Sequence, residues 1–388
     1  VALGLGGCRR RAAAGTCAEL RPDLDAARRE DVVAWHMPEK GNGLLHMLTA
    51  TFSAACMNTI AKQLYADSAV SQMTLFTIRG VAVFLLNGLL VAAHSGCTAS
   101  QRVLTLQVDD ASKARKAVWR GFASTAGVTM IHLSFQMINL SDAIALSMAS
   151  EVITTMAVAR TCISGSERLS KRALAGGALA LLGMVLLTQP AAVFGRAPPS
   201  VAGSLLAVGG GLSLGGFNVW SRLLGRATPH GAPLSPATLT AYLMLVFTLA
   251  AAAVQCAAAA VGPAAPGWAV FTLQMGGVHT ATMVALYCTL VLVFQLGLAA
   301  AYGLMPAGRA AVLSLTELGF TWLLGTVALQ ERTDWASGLG LLAILVGSAL
   351  STDGGCSSGS VDTDSLTHES DETVNGQKRG SNASTALL

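Results

Sequence analysis

The sequence predicts an all-α integral membrane protein of ten transmembrane helices, arranged as two inverted five-helix repeats. Three observations lead there. Over 388 residues the chain is 53% hydrophobic and 12% charged, with a mean hydropathy of +0.56, whereas soluble domains carry about 25% charged residues. Its apolar residues fall into ten runs of bilayer-crossing length. A short signature is also written twice: Ala145-Leu146-Ser147 … Glu167-Arg168 … Gly176 … Gly183, then Val312-Leu313-Ser314 … Glu331-Arg332 … Gly340 … Gly347. In both copies glycines follow the Glu by nine and sixteen residues. A repeated membrane hairpin in corresponding halves is the mark of a duplicated architecture.

A helix needs about 20 mainly apolar residues to cross the hydrocarbon core. The runs lie near 44–65, 72–94, 119–139, 141–163, 169–189, 201–223, 236–261, 280–304, 307–329 and 334–352. Very short turns join the third run to the fourth and the eighth to the ninth. Lys and Arg, which concentrate in cytoplasmic loops, set the sidedness. They crowd the N-terminal tail (Arg9, Arg10, Arg11, Arg21, Arg28, Arg29, Lys40). They also crowd the loops after the second span (Arg102, Lys113, Arg115 and Lys116, with Arg120 at its edge), the fourth (Arg168, Lys171, Arg172) and the sixth (Arg222, Arg226). The other side carries only Lys62, Arg196 and Arg332. Both termini are therefore expected in the cytoplasm. Five spans per copy is an odd number, so the second copy must enter upside down, the inverted repeat that suits alternating access around a midplane site.

Four regions follow: a cytoplasmic tail over 1–43, a first repeat over 44–190, a second over 200–352, and a polar tail over 353–388. The last segment, rich in Ser, Thr, Gly, Asp and Glu, has too little apolar content to fold and is expected to be disordered. Residues 1–17 are rich in Ala, Gly and Arg without an acid, as in an organelle transit segment. Acids at Glu19, Asp23, Asp25, Glu30 and Asp31 follow at once, so a plain cytosolic tail is expected. Plasma membrane, endomembrane and plastid envelope all stay open.

The eight cysteines (Cys8, Cys17, Cys56, Cys97, Cys162, Cys256, Cys288, Cys356) form no CxxC and no Cys/His cluster. Neither a disulfide framework nor a metal site is expected, and no cofactor. The formal charge of +4 says little about nucleic acid, because the basic residues lie between apolar runs. No HExxH and no mid-span Asp pair occurs, so an enzyme is not expected.

The stretch Ser141-Asp-Ala-Ile-Ala-Leu-Ser … Gly165-Ser-Glu-Arg-Leu-Ser … Leu-Leu-Gly-Met-Val-Leu-Leu, with Ala310-Ala-Val-Leu-Ser-Leu-Thr-Glu-Leu … Gln-Glu-Arg, resembles the EamA-type domain of the drug/metabolite transporter superfamily. Trp119-Arg-Gly-Phe followed by Gln136-Met-Ile-Asn-Leu-Ser-Asp-Ala is similar to the solute carrier 35 group G branch. The resemblance spans roughly 44–352. It implies polar-solute transport by alternating access, with the first four helices of each repeat around the cavity and the fifth peripheral. Two departures stand out. Where the family often has Pro in the fourth span, this chain reads Ala149-Ser-Glu151-Val. Its phosphate- and nucleotide-sugar-carrying branches usually bear Lys and Arg in the ninth span, and here only Arg309 lies at the edge.

An ionisable residue at bilayer depth costs about 2.5–3.5 kcal/mol on insertion scales and normally faces protein or water. Glu151 and Glu317 lie near the middles of the fourth and ninth spans and are the leading candidates for a substrate or proton site. A paired or permanently neutral carboxylate is the structural alternative. Arg79 in the second span reads as a partner of substrate or of Glu151, or as a snorkelling side chain. In the third span Thr125, Thr129, His132, Gln136 and Asn139 recur on one helical face, a stripe that should line a cavity or pack on another helix. Ser147, Glu151 and Thr154 share a face of the fourth span. Asn218, Trp220, Gln295, Tyr302, Thr316 and Trp322 are weaker lining candidates. The glycines of the sixth span (Gly209 to Gly211, Gly215, Gly216) most simply permit close helix contact, a broken helix being the alternative. Glu167 and Glu331 lie at opposite surfaces and read as anchors.

The function expected is secondary transport of a small polar metabolite, with proton coupling and exchange both open. Partners are that small molecule, protons if they couple, and the bilayer; no nucleic acid is expected, and a homodimer is open. A nucleotide-sugar or organic-anion carrier is the alternative within the superfamily. A non-transporting scaffold or regulator is the alternative outside it.

Overall fold

A computed structural model describes residues 43–66, 70–108, 110–134, 137–138, 140–162, 171–188, 200–226, 233–262, 267, 269–271, 277–328 and 335–352. These residues are 91% helical, with no strand among them. In chain order the helices are α1 (Gly43–Ala66), α2 (Gln72–Ser95), α3 (Cys97–Leu104), α4 (Ala111–Ser134), α5 (Leu140–Cys162) and α6 (Lys171–Thr188). Then come α7 (Val201–Gly225), α8 (Pro236–Val261), α9 (Val278–Leu304), α10 (Ala307–Ser314), α11 (Thr316–Ala328) and α12 (Trp335–Thr352). Five of them, α1, α2, α7, α8 and α9, are long and apolar enough to cross a membrane. Shorter apolar stretches occupy Ala143–Ala159, Leu174–Leu186 and Gly338–Ser351.

Local chemistry starts these helices where the sequence supplies it. Ser71, Ser200 and Ser235 each accept a hydrogen bond from the backbone N–H three residues on (3.3, 3.4 and 3.1 Å), satisfying a donor that helix geometry leaves open. After Ser235 comes Pro236, whose missing N–H costs nothing at a first helical position. At the other end of α9, Pro306 cannot continue the helix; the chain restarts at once as α10.

Three expectations are corrected. The third span, read as 119–139, is a helix from Ala111 to Ser134. Asp110 caps its start through Ser112 N–H (2.8 Å), and backbone hydrogen bonding carries on through the charged turn, where Arg115 and Lys116 are exposed while Ala117 and Arg120 are buried. The segment after α2 is not plain loop. It holds α3, pinned by Ser100 Oγ to Gly88 O (2.8 Å). The ninth run is two helices, broken at Leu315, whose N–H bonds to Val312 O (3.2 Å) while Leu318 N–H bonds to Leu315 O (3.1 Å). The break sits there and not in the glycine-rich sixth run, since α7 runs uninterrupted from Val201 to Gly225.

The packing is reciprocal. Helix α7 lies against α4 and α5; α1 lies against α9 and α11; α2 pairs with α8 and α6 with α12. Gly43 at the start of α1 meets Leu304 and Met305, and Gly203 at the start of α7 meets Met137 and Ile138. We call the first of these the near end of the bundle and the second the far end. The glycines of the duplicated signature meet one another: a Cβ on Gly176 would lie 2.5 Å from Gly347 O, and one on Gly347 would lie 2.5 Å from Gly176 O. Gly183 stands likewise against Gly340 O. Small residues let backbones approach this closely, so the α6–α12 seam is a contact of backbone on backbone. The largest apolar cluster joins α1, α2, α7, α8 and α9, with Met47, Leu75, Leu243, Met244 and Val291 fully buried.

Candidate functional site

Two carboxylates occupy the centre, each held by an amide from a different helix. Asn218 of α7 donates to Glu151 of α5 (Nδ2 to Oε1, 2.7 Å). Asn58 of α1 donates to Glu317 of α11 (2.9 Å). Glu151 and Glu317 are half-buried and within electrostatic range of each other. Beside Asn58, one further turn pair along α1, Thr51 shares a hydrogen bond with Thr316 (Oγ1 to Oγ1, 3.0 Å). Tyr302 of α9 lies within range of Glu151. It is fully buried, and its hydroxyl has no hydrogen-bond partner among the described residues; the same holds for Oε1 of the buried Gln295. A buried polar atom without a partner costs stability, so the open Tyr302 hydroxyl within range of Glu151 is suited to a polar guest.

Toward the far end sits a second, cationic cluster. Arg79 of α2 is 4% exposed, which removes the snorkelling reading. Nor does it pair with Glu151. Its Nη1 donates to Tyr287 OH of α9 at a long 3.4 Å, its guanidinium lies 4.8 Å from the Phe247 ring centroid of α8, and its Nε has no partner among the described residues. Tyr65 of α1 and His132 of α4 are within electrostatic range of it. The His132 ring meets Tyr65 and Phe76 edge-on, at 6.2 and 5.0 Å between centroids.

The rest of the predicted lining behaves variously. Thr125 turns its hydroxyl to Gly121 O in its own helix (2.9 Å), and Thr129 is half-buried one turn below His132. Gln136 and Asn139 lie outside the described residues, as do Glu167 and Glu331. Ser147 is buried and bonded to Ile144 O (3.0 Å). Its face of α5 is pressed on α7, where Gly211 leaves no room for a Cβ beside Ser147 O, and Gly215 faces Glu151 O and Thr154. Cys56, Cys97, Cys256 and Cys288 are free.

Sequence reasoning missed Asn58, Tyr65, Tyr287 and Arg120. Asn58 had a signal: it stands 160 residues before Asn218, as Gly43 stands before Gly203. Arg120, taken for a loop-edge charge, is fully buried. It donates to Ser221 Oγ (2.7 Å) and Leu239 O (3.0 Å) and lies over Phe217 at 4.2 Å. Close by, Arg222 donates to Tyr302 O (3.2 Å) and Gly303 O (2.6 Å) at the end of α9. Arg222 serves the open carbonyls of the α9 C-terminus, a favourable place for a cation, and the two arginines together tie α4, α7, α8 and α9 at the near end.

No family model matches the chain. No curated protein matches it either. Among solved structures 29 chains match. One, described only as the crystal structure of a protein, superposes with a TM-score of 0.61 at 16% identity, over 80% of this chain and 96% of that one. At that identity the likeness is one of fold.

Proposed function

We propose that this chain is a secondary transporter that moves a small polar metabolite across a bilayer by alternating access. In this reading ten spans form two inverted repeats, 44–190 and 200–352, of the EamA-type drug/metabolite transporter kind. The spans are α1, α2, α4, α5 and α6, then α7, α8, α9, α10 with α11, and α12, and the near end faces the cytoplasm with both chain termini.

One observation carries the proposal: the Asn218–Glu151 and Asn58–Glu317 pairs. Each joins the first helix of one repeat to the fourth helix of the other, so the two pairs exchange when the repeats exchange. Charged groups at this depth are expensive to keep, and a static scaffold gains nothing from two of them. A rocking carrier does: each carboxylate takes a proton or a cationic group while the repeats shift against one another around it. The reciprocal packing of α1 and α7 supports the same symmetry, and the Arg222 tie holds the near end shut in this arrangement.

Uptake into proteoliposomes from a metabolite panel, with and without a pH gradient, tests it. Gradient-dependent uptake that Glu151→Gln and Glu317→Gln each abolish is expected. Normal transport by both variants would remove the carboxylates from the mechanism; no uptake of any compound by the intact chain would remove the carrier.

A further inference from the structure

We infer that Arg79, with the hydroxyls of Tyr65 and Tyr287, forms a binding site for an oxyanion, and that the cargo carries a carboxylate or phosphate group held there. This rests on the carrier reading for the anion's role as cargo. The binding itself is a separate claim about the site.

The argument begins from a comparison within the molecule. Three arginines among the described residues are buried, Arg79, Arg120 and Arg222, and no Asp or Glu among the described residues pairs with Arg79 or Arg120. Arg120 is what a structural arginine looks like here: its Nη2 too lacks a partner among the described residues, but two short hydrogen bonds, to Ser221 Oγ and Leu239 O, and a ring beneath hold it. Arg79 has the ring but a single hydrogen bond of 3.4 Å, at the outer limit of what counts as one. Its Nε donor is buried and open, and so is the hydroxyl of Tyr65. A guanidinium is charged at any pH a cell reaches, and a buried charge is costly unless it is paired or well hydrogen-bonded; Arg120 has the short hydrogen bonds, and Arg79 has neither among the described residues. The aromatic walls, Phe76, Phe247 and the His132 ring, supply no counter-ion. An oxyanion supplies what is lacking: acceptors for Nε, for the Tyr65 hydroxyl and for a second donor of the guanidinium fork, which matches carboxylate and phosphate geometry.

Position joins this site to the acidic centre. Thr51, Asn58 and Tyr65 recur every seven residues on one face of α1. Tyr65 at the cationic cluster is thus about 10 Å along the helix from Asn58 at Glu317. That separation lets Arg79 hold an anion while Glu151 and Glu317 take protons or a cationic end, instead of neutralising one another across the site.

The test is equilibrium binding, which needs no transport. The full chain is placed in nanodiscs of phosphatidylcholine alone and titrated with inorganic phosphate, succinate or sodium chloride at matched ionic strength, with thermal midpoint and calorimetry as readouts. Saturable stabilisation by succinate or phosphate, weaker at least about tenfold in Arg79→Gln, as loss of a charge-assisted bond implies, is expected. Tyr65→Phe is the decisive variant because it deletes a hydroxyl that has no hydrogen-bond partner among the described residues. Without anion it should be as stable as the parent or more so; with anion its affinity should fall several-fold. Unchanged affinity in Tyr65→Phe overturns the proposal even if Arg79→Gln does not fold. So does stabilisation by chloride alone. So does a response seen only when phosphatidylglycerol is added to the disc, which would assign Arg79 to a lipid headgroup. Absence of anion binding together with Glu-dependent uptake would end this inference and leave the carrier standing.

Discussion

Replacing Asn218 with Asp changes one amide nitrogen for oxygen and turns the donor to Glu151 into a second acceptor. In the parent, Nδ2 and Oε1 are 2.7 Å apart and Asn218 is 2% exposed, so the Asn218 side chain has little room to turn away. Two unit charges at 2.7 Å repel by about 6 kcal/mol at an effective dielectric of about 20. That exceeds the roughly 1.5–3 kcal/mol of the hydrogen bond it replaces, so the two carboxylates must share a proton to stay where they are. The sign follows. A shared proton is present at low pH and lost as pH rises, so Asn218→Asp should resemble the parent in acid and fail progressively on the alkaline side. Thermal unfolding in detergent from pH 5 to 9, with uptake measured over the same range, reads both effects. A neutral control, Asn218→Leu, should lose about 1–2 kcal/mol, since polar contacts in membrane bundles are worth less than in water-soluble cores, with no comparable pH trend. Asn218→Asp that keeps the parent's stability and uptake at pH 9 would refute the reasoning, because Glu151 would then not be held by this contact.

Asn58→Asp should repeat the pattern at Glu317 with a smaller amplitude, because that contact is longer (2.9 Å) and only half-buried; the same pH series checks it. Gly176→Ala places a methyl 2.5 Å from Gly347 O and forces the α6–α12 seam apart by nearly 1 Å, at about 1–3 kcal/mol. Gly347→Ala should cost the same, and the double variant less than the sum, read from thermal midpoints. Arg120→Lys keeps the charge but loses the fork that reaches Ser221 and Leu239 O together; a loss of at least about 2 kcal/mol is expected from unfolding curves. Arg222→Gln weakens the tie to Tyr302 O and Gly303 O. A cysteine placed at the buried Ala299 should then react faster with an impermeant thiol reagent applied from the near-end side.

The helices were legible because apolar length and loop charge are strong one-dimensional signals: α2, α7, α8 and α9 begin or end within a few residues of the expected runs. Their capping serines and prolines are also local. The two carboxylates were legible for a related reason, since a lone acid in an apolar run stands out. What the acids touch was not. Asn58 is one ordinary polar residue in α1 until the fold brings α11 beside it, and Tyr287 carries no periodic or charge signal at all. Arg79 could be singled out as a charge in a span, but its role turned on which neighbours packed against it. Of the readings open for Arg79, the pairing with Glu151 failed to foresee that aromatic rings would stand beside the guanidinium. Arg120 was misread because the positive-charge rule counts residues near a span end as loop, while a helix can carry such a residue inward with its backbone.

One mismatch in the duplicated signature finds its physical reason in the backbone. Overlaying Leu146-Ser147 on Leu313-Ser314 puts Glu317 opposite Ser150, one residue short of Glu151, which in two regular helices would turn the carboxylates about 100° apart. Yet both accept from an equivalent asparagine. The break at Leu315 makes up the difference. Its two three-residue hydrogen bonds, Leu315 to Val312 and Leu318 to Leu315, wind the chain at about 120° per residue instead of about 100°. Over the five steps from Val312 to Glu317 the gain is about 100°, one residue's turn. Ser314 and Thr316 steady the tight segment by bonding Ala311 O and Leu313 O (2.7 Å each). A missing residue in the second copy is thus absorbed by overwinding, and the carboxylate still arrives at Asn58. That a helix gives up regular geometry in mid-span to keep this one contact argues that the acid's direction, more than its place in the sequence, is what the fold preserves.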